Sequence, residues 1–404
     1  MPASSSALIT PTWAKPRAPP LPSARATRGR SDLSGWIAAW RGLPRGIWAI
    51  GLCSLFMDVS SEMIHSLLPV FMVSGLGASA FAVGLVEGIA ESTALIVKVF
   101  SGAISDYVGK RKALAVIGYG LGALSKPLFA LATTVNGVLV ARFTDRIGKG
   151  IRGAPRDALV ADLAPPEMRG AAFGLRQSLD TVGAFLGPLL GIGLMLLYAG
   201  DFRTVFWFAA IPAAIAVLLL VFGVEESGAA SRVTTVPIEW RSLGNLPRSY
   251  WLVVIAGGVF TLARFSEAFL VLRAQERGLP DALAPLVFVL MNVVFALCAY
   301  PAGKLADRMS GRVLLGMGLL VLVAADVILA FAQDLAAVAF GVAAWGLHMG
   351  LTQGVFAAMI AGVAPAHLRG TAFGVFNFAC GLAMLVASVL AGLLWDLLGP
   401  AATF

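Results

Sequence analysis

Apolar runs of about twenty residues follow one another along nearly the whole chain from residue 47 onward, separated by short polar or basic stretches. A run of that length is what a helix needs to cross the ~30 Å hydrocarbon layer of a bilayer. With 58% hydrophobic and only 13% charged residues, the chain lies outside the range of soluble domains. The expected fold class is all-α, a polytopic membrane protein. The runs predict eleven spans, near residues 47–73, 80–105, 112–132, 137–162, 170–198, 203–223, 250–273, 281–305, 312–333, 335–362 and 370–396.

A long internal repeat organises these spans. The segment from Ala164 to Gly174 (APPEMRGAAFG) returns 200 residues later, from Ala364 to Gly374 (APAHLRGTAFG). At nearly the same offset Gly102 and Asp106 return as Gly303 and Asp307. A unit of about 200 residues has been doubled, the arrangement in which two halves of a transporter enclose one path. The expected organisation is a basic cytoplasmic tail over 1–46, a six-helix repeat over 47–223, a linker over 224–249 and a five-helix repeat over 250–404. A twelfth helix is expected to begin after Gly399 and Pro400, and the chain ends at Phe404.

Basic residues set the expected topology. Of the 30 Lys and Arg, 18 fall in the tail and in one set of alternate loops, and only Arg203, Arg273 and Arg277 fall in the other set. The bias predicts a cytoplasmic N-terminus. The net charge of +8 is mostly this orientation signal, so no nucleic-acid partner is expected. Residues 1–46, rich in Pro, Ala, Ser and Arg, are expected to be disordered, with a short interfacial helix carrying Leu33, Trp36, Ile37 and Trp40 on one face. Cys53, Cys298 and Cys380 lie inside spans at no ligand-like spacing, so neither a disulfide framework nor a metal site is predicted. No cofactor is expected.

Nine basic residues remain inside the spans, at a cost of about 2.5–3.5 kcal/mol each if they met lipid. They are expected to line an internal, ion-paired or hydrated space. The fourth span carries Arg142, Asp145, Arg146, Lys149, Arg152 and Arg156, and at 100° per residue these stay in one sector. Asp58, Ser61, Glu62 and His65 share a face of the first span, Glu87, Glu91 and Lys98 one of the second, and Arg176 and Asp180 stand at i, i+4 on the fifth. Acidic stripes on two spans thus have basic stripes on two others to meet. For Lys98, Lys126 and Arg176 the favoured role is structural ion pairing. For Glu62, Glu91, Arg146 and Lys149 it is function, because buried ion pairs seldom beat apolar packing on stability alone. The second half is quieter, with Arg264, Glu267, Asn292, Asp326, His348, Gln353 and Asn377 as its polar span residues.

Gly102, Asp106, Gly109, Lys110, Arg111 and Lys112 between spans two and three, echoed by Gly303, Asp307 and Arg308 between spans eight and nine, resemble the hallmark loop of the major facilitator superfamily. The resemblance covers almost the whole chain. It implies that the loop Asp, here Asp106, latches the outward-open state against a helix of the other half; Tyr107 stands where the family usually has Arg or Lys. Gly174, Gly183, Gly187, Pro188 and Gly191 resemble the fifth-helix glycine pattern of proton-coupled antiporters in this superfamily, with Ile192 in place of its final Gly. Arg146, Lys149 and Gly150 resemble its fourth-helix motif, whose Arg is tied to proton movement; Lys149 stands where Gln is common and Arg152 where Gly is.

The expected function is proton-coupled secondary transport of a small organic, anionic solute by alternating access, in the direction of efflux. Proton coupling is assigned to Asp58, Glu62, Glu91, Asp145, Arg146 and Asp180. The substrate path is assigned to His65, Glu87, Arg142, Lys149, Arg152, Arg264, Glu267, His348 and Gln353. Gating is assigned to Gly102, Asp106, Gly109, Lys110, Arg111, Gly183, Gly187, Pro188, Gly303, Asp307 and Arg308. The alternatives are a proton symporter taking up an organic acid, sugar or chelate, and an inactive membrane scaffold. An enzyme is not expected, since no nucleophile and base stand at telling spacing. The expected partners are membrane lipid, protons and a small-molecule substrate, and the expected state is a monomer in a bacterial inner membrane.

Overall fold

The computed structural model describes residues 42–108, 110–225, 246–306, 309–352, 355–365 and 368–404; side chains at 102, 103, 106–108, 300, 303, 304, 306, 357, 369 and 370 are outside that description. The expected tail up to residue 41, most of the linker, and Gly109, Asp307, Arg308 and Gln353 therefore lie outside the described residues, as does the Asp106 side chain.

The chain is a helical bundle, as a continuous series of apolar runs requires when each must satisfy its own backbone. In order come α1 (Arg45–His65), α2 (Ala80–Val108), α3 (Arg111–Leu131), α4 (Val135–Leu163), α5 (Arg169–Leu197), α6 (Phe202–Gly223), α7 (Arg248–Leu262), α8 (Ala268–Glu276), α9 (Leu286–Ala306), α10 (Gly311–Phe331), α11 (Leu335–Thr352), α12 (Val355–Val363) and α13 (Arg369–Leu398). A short helix, Leu68–Val70, and a π-turn, Phe71–Gly75, prolong α1. Among the described residues nine helical segments are long and apolar enough to cross a membrane.

Two expected spans depart from a simple apolar rod. The fourth is the continuous 29-residue α4, whose many charges set it apart from the apolar spans. The seventh, expected over 250–273, is interrupted: α7 stops at Leu262 and α8 starts at Ala268. Arg264, Ser266 and Glu267 occupy the interruption, where the Ser266 hydroxyl accepts from Ala268 N and Arg264 pairs with Glu267 at 3.3 Å. The Ser266 side chain offers the backbone a partner that a helix would otherwise supply, and the other two polar side chains satisfy each other.

Helix limits recur at the 200-residue offset of the sequence repeat. α3 and α10 begin and end 200 residues apart, and the caps of the following helices match: Thr134 accepts from Gly137 N ahead of α4, and Asp334 accepts from Ala337 N ahead of α11. Asp201 caps α6 in the same way, and its bonds from the Thr204 hydroxyl and Arg203 N hold its carboxyl below the usual carboxylate range.

The closest helix pairs meet backbone to backbone. α2 lies along α13, where a Cβ on Gly84 would sit 2.2 Å from Ser388 O and one on Gly392 would sit 2.6 Å from Ala80 O. α5 lies along α1, and Cβ atoms on Gly183 and Gly187 would sit 2.6 Å from Leu55 O and 2.7 Å from Val59 O. By contrast α5 touches α9 only along a thin seam.

At the end of the bundle that the basic-residue bias assigns to the outside, the two repeats are tied together. The Asp396 carboxylate of α13 accepts from both Ala80 N (3.1 Å) and Phe81 N (3.0 Å) in the first turn of α2. Those two N–H groups have no partner within their own helix, so a carboxylate from the other repeat caps it. Gln275 donates to Ser74 Oγ at 3.1 Å at the same end. Arg273, counted in the sequence among the outer-loop cations, is in fact buried in α8 and donates to the carbonyls of Leu329, Ala330 and Ala332, closing the C-terminus of α10. Large side chains such as Phe222, Leu320, Phe331 and Phe340 stand exposed on the bundle perimeter, where lipid would meet them.

Candidate functional site

A cavity of about 810 Å³ lies between the repeats. α1 supplies Asp58 and Glu62 to its wall, α2 Glu91 and Lys98, α4 Lys149, Arg152 and Arg156, α5 Gln177, Asp180 and Thr181, and α9 Asn292 and Phe295. Eight charged residues expected to share an interior space thus do so, because the 100° period keeps each helix's charges on one face and tight packing turns these faces inward.

Behind the cavity wall lies a chain of ion pairs. Arg142 donates to Glu87 Oε2 at 2.7 Å, with both side chains almost completely buried, and it stands 3.8 Å from Glu91. Arg146 reaches Glu91 Oε1 at 3.2 Å. Glu87 also faces His65 Nε2 at 3.7 Å, and the other ring nitrogen of His65 stands 3.5 Å from Glu62. Deeper still, Lys126 Nζ donates to Asp145 Oδ1 at 2.8 Å and to Ser61 Oγ at 3.0 Å. A second cluster joins α4 to α5: Arg176 donates to Asp180 at 2.6 Å, while Arg156 stands 3.2 Å from Asp157 and 3.8 Å from Asp180.

These pairs consume most of the cationic surplus that the fourth span shows in sequence. Three cations of the cavity wall stay outside them. Lys149 and Lys98 are exposed into the cavity, and neither makes an ion pair within 4 Å among the described residues. Arg152 is 4% exposed, its guanidinium stacks 4.9 Å from the Tyr119 ring centroid, and its Nη1 has no hydrogen-bond partner. Asp58 is the one carboxylate of the wall without an ion partner among the described residues.

Of the remaining substrate-path residues, Arg142, Glu87 and His65 sit one layer behind the wall; Asp145, assigned to proton coupling, is held by Lys126 away from it. His348 is fully buried, bonded through Nδ1 to Gly318 O at 2.8 Å and stacked on Phe260, and it does not line the cavity. Arg264 and Glu267 pair with each other in the α7–α8 interruption, also away from the wall. Lys126 and Arg176 are structurally paired as expected, whereas Lys98, grouped with them in the sequence, faces the cavity. Gln177 and Thr181 were not singled out from the sequence; their place on the Asp180 face of α5 is the signal that would have found them.

His65, Glu87 and Glu91 bring ligand atoms within 4.8 Å of one another. Arg142 and Arg146 already engage these carboxylates, and two guanidiniums beside a cation would repel it, so the cluster is an ion-pair node rather than a metal site.

Comparison with known proteins settles the family. The sequence profile described as Major Facilitator Superfamily matches residues 50–400. The chain belongs to that superfamily. It is 30% identical over 370 residues to an uncharacterized MFS-type transporter of Methanocaldococcus jannaschii, covering 90% of this chain and 92% of the relative. It is 25% identical over 361 residues to multidrug resistance protein MdtH of Aeromonas hydrophila, covering 87% and 88%. The fold matches a bacterial homolog of the human lysosomal transporter Spinster in an inward-facing, unoccupied conformation, with a TM-score of 0.69 at 17% identity over 87% of this chain and 82% of that one. This superfamily member is a multi-pass membrane transporter and not an enzyme.

Proposed function

We propose that the protein is a proton-coupled exporter of a small organic anion, working by alternating access of the repeats over 47–223 and 250–404 around the charged cavity. The observation that carries this reading is the wall itself, where Asp58, Glu62 and Glu91 face Lys98, Lys149 and Arg152. A carboxylate beside a fixed cation stays ionised until that cation is engaged elsewhere, so occupation of Lys149 by an anion and the protonation of the neighbouring acids are linked. One proton entering as one anion leaves is exchange. The multidrug resistance relatives support the outward direction.

Transport follows by rocking, and the structure's ties at Asp396 and Gln275 correspond to closure of the outer end. Asp58, Glu62, Glu91, Arg146 and Asp180 carry the coupling; Lys149 and Arg152 receive the substrate; the hallmark loops around Asp106 and Asp307 and the glycines of α5 serve gating. The chain acts as a monomer in a bacterial inner membrane with its N-terminus inside.

The test is efflux of a panel of radiolabelled carboxylates from proteoliposomes under an imposed pH gradient. Efflux is expected to accelerate when the outside is acid and to lose that dependence in Glu62→Gln and Glu91→Gln. Transport indifferent to the gradient would remove proton coupling from the reading.

A further inference from the structure

A second cavity, of about 940 Å³, adjoins the charged one and shares Gln177, Thr181, Phe295 and Ala296 with it. It lies where α5 faces α9, α10, α11 and α12, on the side of the thin α5–α9 seam. Ala299, Ala302, Leu314, Leu351, Val355 and Met359 are typical of its wall, and among the described residues no charged one lines it. The two chambers therefore differ in chemistry while communicating across a common partition.

Either chamber alone has the volume of a site for a drug-sized ligand. A small hydrophilic anion has use for the first only. Within it the free charge is positive: Glu62 is engaged by His65, Glu91 by Arg146 and Asp180 by Arg176, which leaves Lys98, Lys149 and Arg152 against Asp58. Arg152 adds a fixed positive charge from the wall, its Nη1 turned away from the cavity against Gly122.

Resting on the organic-anion reading, we infer that the substrate is amphiphilic: a single-chain anion whose head group sits at Lys98, Lys149 and Arg152 and whose apolar body passes Phe295 and Thr181 into the second chamber. The head pairs with the two exposed ammonium groups, with the charge of Arg152 beside them; the body displaces water from alanine, leucine, valine and methionine surface. Chain length then becomes a determinant of affinity. Burial of one methylene is worth about 0.8 kcal/mol, or roughly a three- to fourfold gain per CH2.

The experiment uses the full chain in nanodiscs of zwitterionic lipid, with empty nanodiscs as the partition control. Binding of straight-chain carboxylates from four to ten carbons is followed by tryptophan fluorescence, with alcohols and trimethylammonium compounds of the same lengths in parallel. Affinity for the carboxylates is expected to rise about threefold per methylene, and the matched alcohols and ammonium compounds are expected to bind at least tenfold more weakly. Ala299→Trp, which places an indole in the second chamber, is expected to flatten the slope, and Ala358→Phe provides the same test should the first variant not fold. Carboxylates that bind with no dependence on length, or a slope unchanged in both variants, overturn the amphiphile while leaving the organic-anion reading intact. Binding of no carboxylate at any length overturns both.

Discussion

Removing Arg142 alone should harm the protein far more than removing Arg142 and Glu87 together. The two side chains are 2% and 1% exposed and meet at 2.7 Å. In Arg142→Met the Glu87 carboxylate keeps only His65 at 3.7 Å, and its Oε1 has no hydrogen-bond partner even in the intact protein. A buried charge left in that position costs about 3–5 kcal/mol, whereas exchange of the whole pair for apolar side chains of similar volume is neutral or stabilising by about 1–4 kcal/mol. At this chain size each kcal/mol moves the melting temperature by about 2 °C or less. Thermal unfolding of purified Arg142→Met should therefore begin about 5–10 °C early, and Arg142→Met with Glu87→Met should return to within about 3 °C of the parent. The comparison forms a double-mutant cycle with a coupling of about 3 kcal/mol or more. A double variant that loses the sum of the two single losses would refute the pairing, and a harmless Arg142→Met would refute the burial.

Other perturbations test other layers. Lys149→Ala should raise the half-saturating concentration of a transported carboxylate about tenfold, since a hydrogen bond to a charged group contributes about 1.5–3 kcal/mol; proteoliposome flux measures it, and unchanged flux would remove Lys149 from the path. Asp396→Ala removes the cap on α2 and should cost about 1 kcal/mol of the outer tie, seen as roughly fivefold faster hydrogen exchange at Ala80 and Phe81; unchanged exchange would show that the carboxylate does not hold them. Gly187→Val must force α5 away from the α1 backbone and should lower stability by about 1–3 kcal/mol, while Gly174→Ala, whose Cβ would meet nothing within 4 Å, should be neutral or stabilising by about 1 kcal/mol; equal melting temperatures for the two would contradict the packing.

Helices were readable because lipid imposes one requirement on every span, and the repeat told which spans correspond. The inward sector of α4 was readable for the same kind of reason: six charges at a 100° period have one face to share. Partner choice was not readable. That Lys126 takes Asp145 while Arg146 takes Glu91 depends on helix rotation and depth, which periodicity leaves open. Lys98 looks like Lys126 in sequence, yet one faces a cavity and the other a carboxylate. Arg273 reads as a loop cation until the end of α10 is brought beside it, and Asp396 reads as an ordinary acid at a span end until the start of α2 is. The interruption at Arg264 to Glu267 contains neither Pro nor Gly, and only its run of polar side chains marks it.

Gly183 and Gly187 rest on α1 at the turns that carry Asp58 and Glu62; a Cβ on either would come within 3.0 Å of the Asp58 or the Glu62 Cβ. α1 and α5 are consequently geared. Neither carboxylate can change its depth without dragging its neighbour's axis along, so a charge change at one tooth is delivered as displacement of a 29-residue rod whose opposite flank, toward α9, has little to resist it.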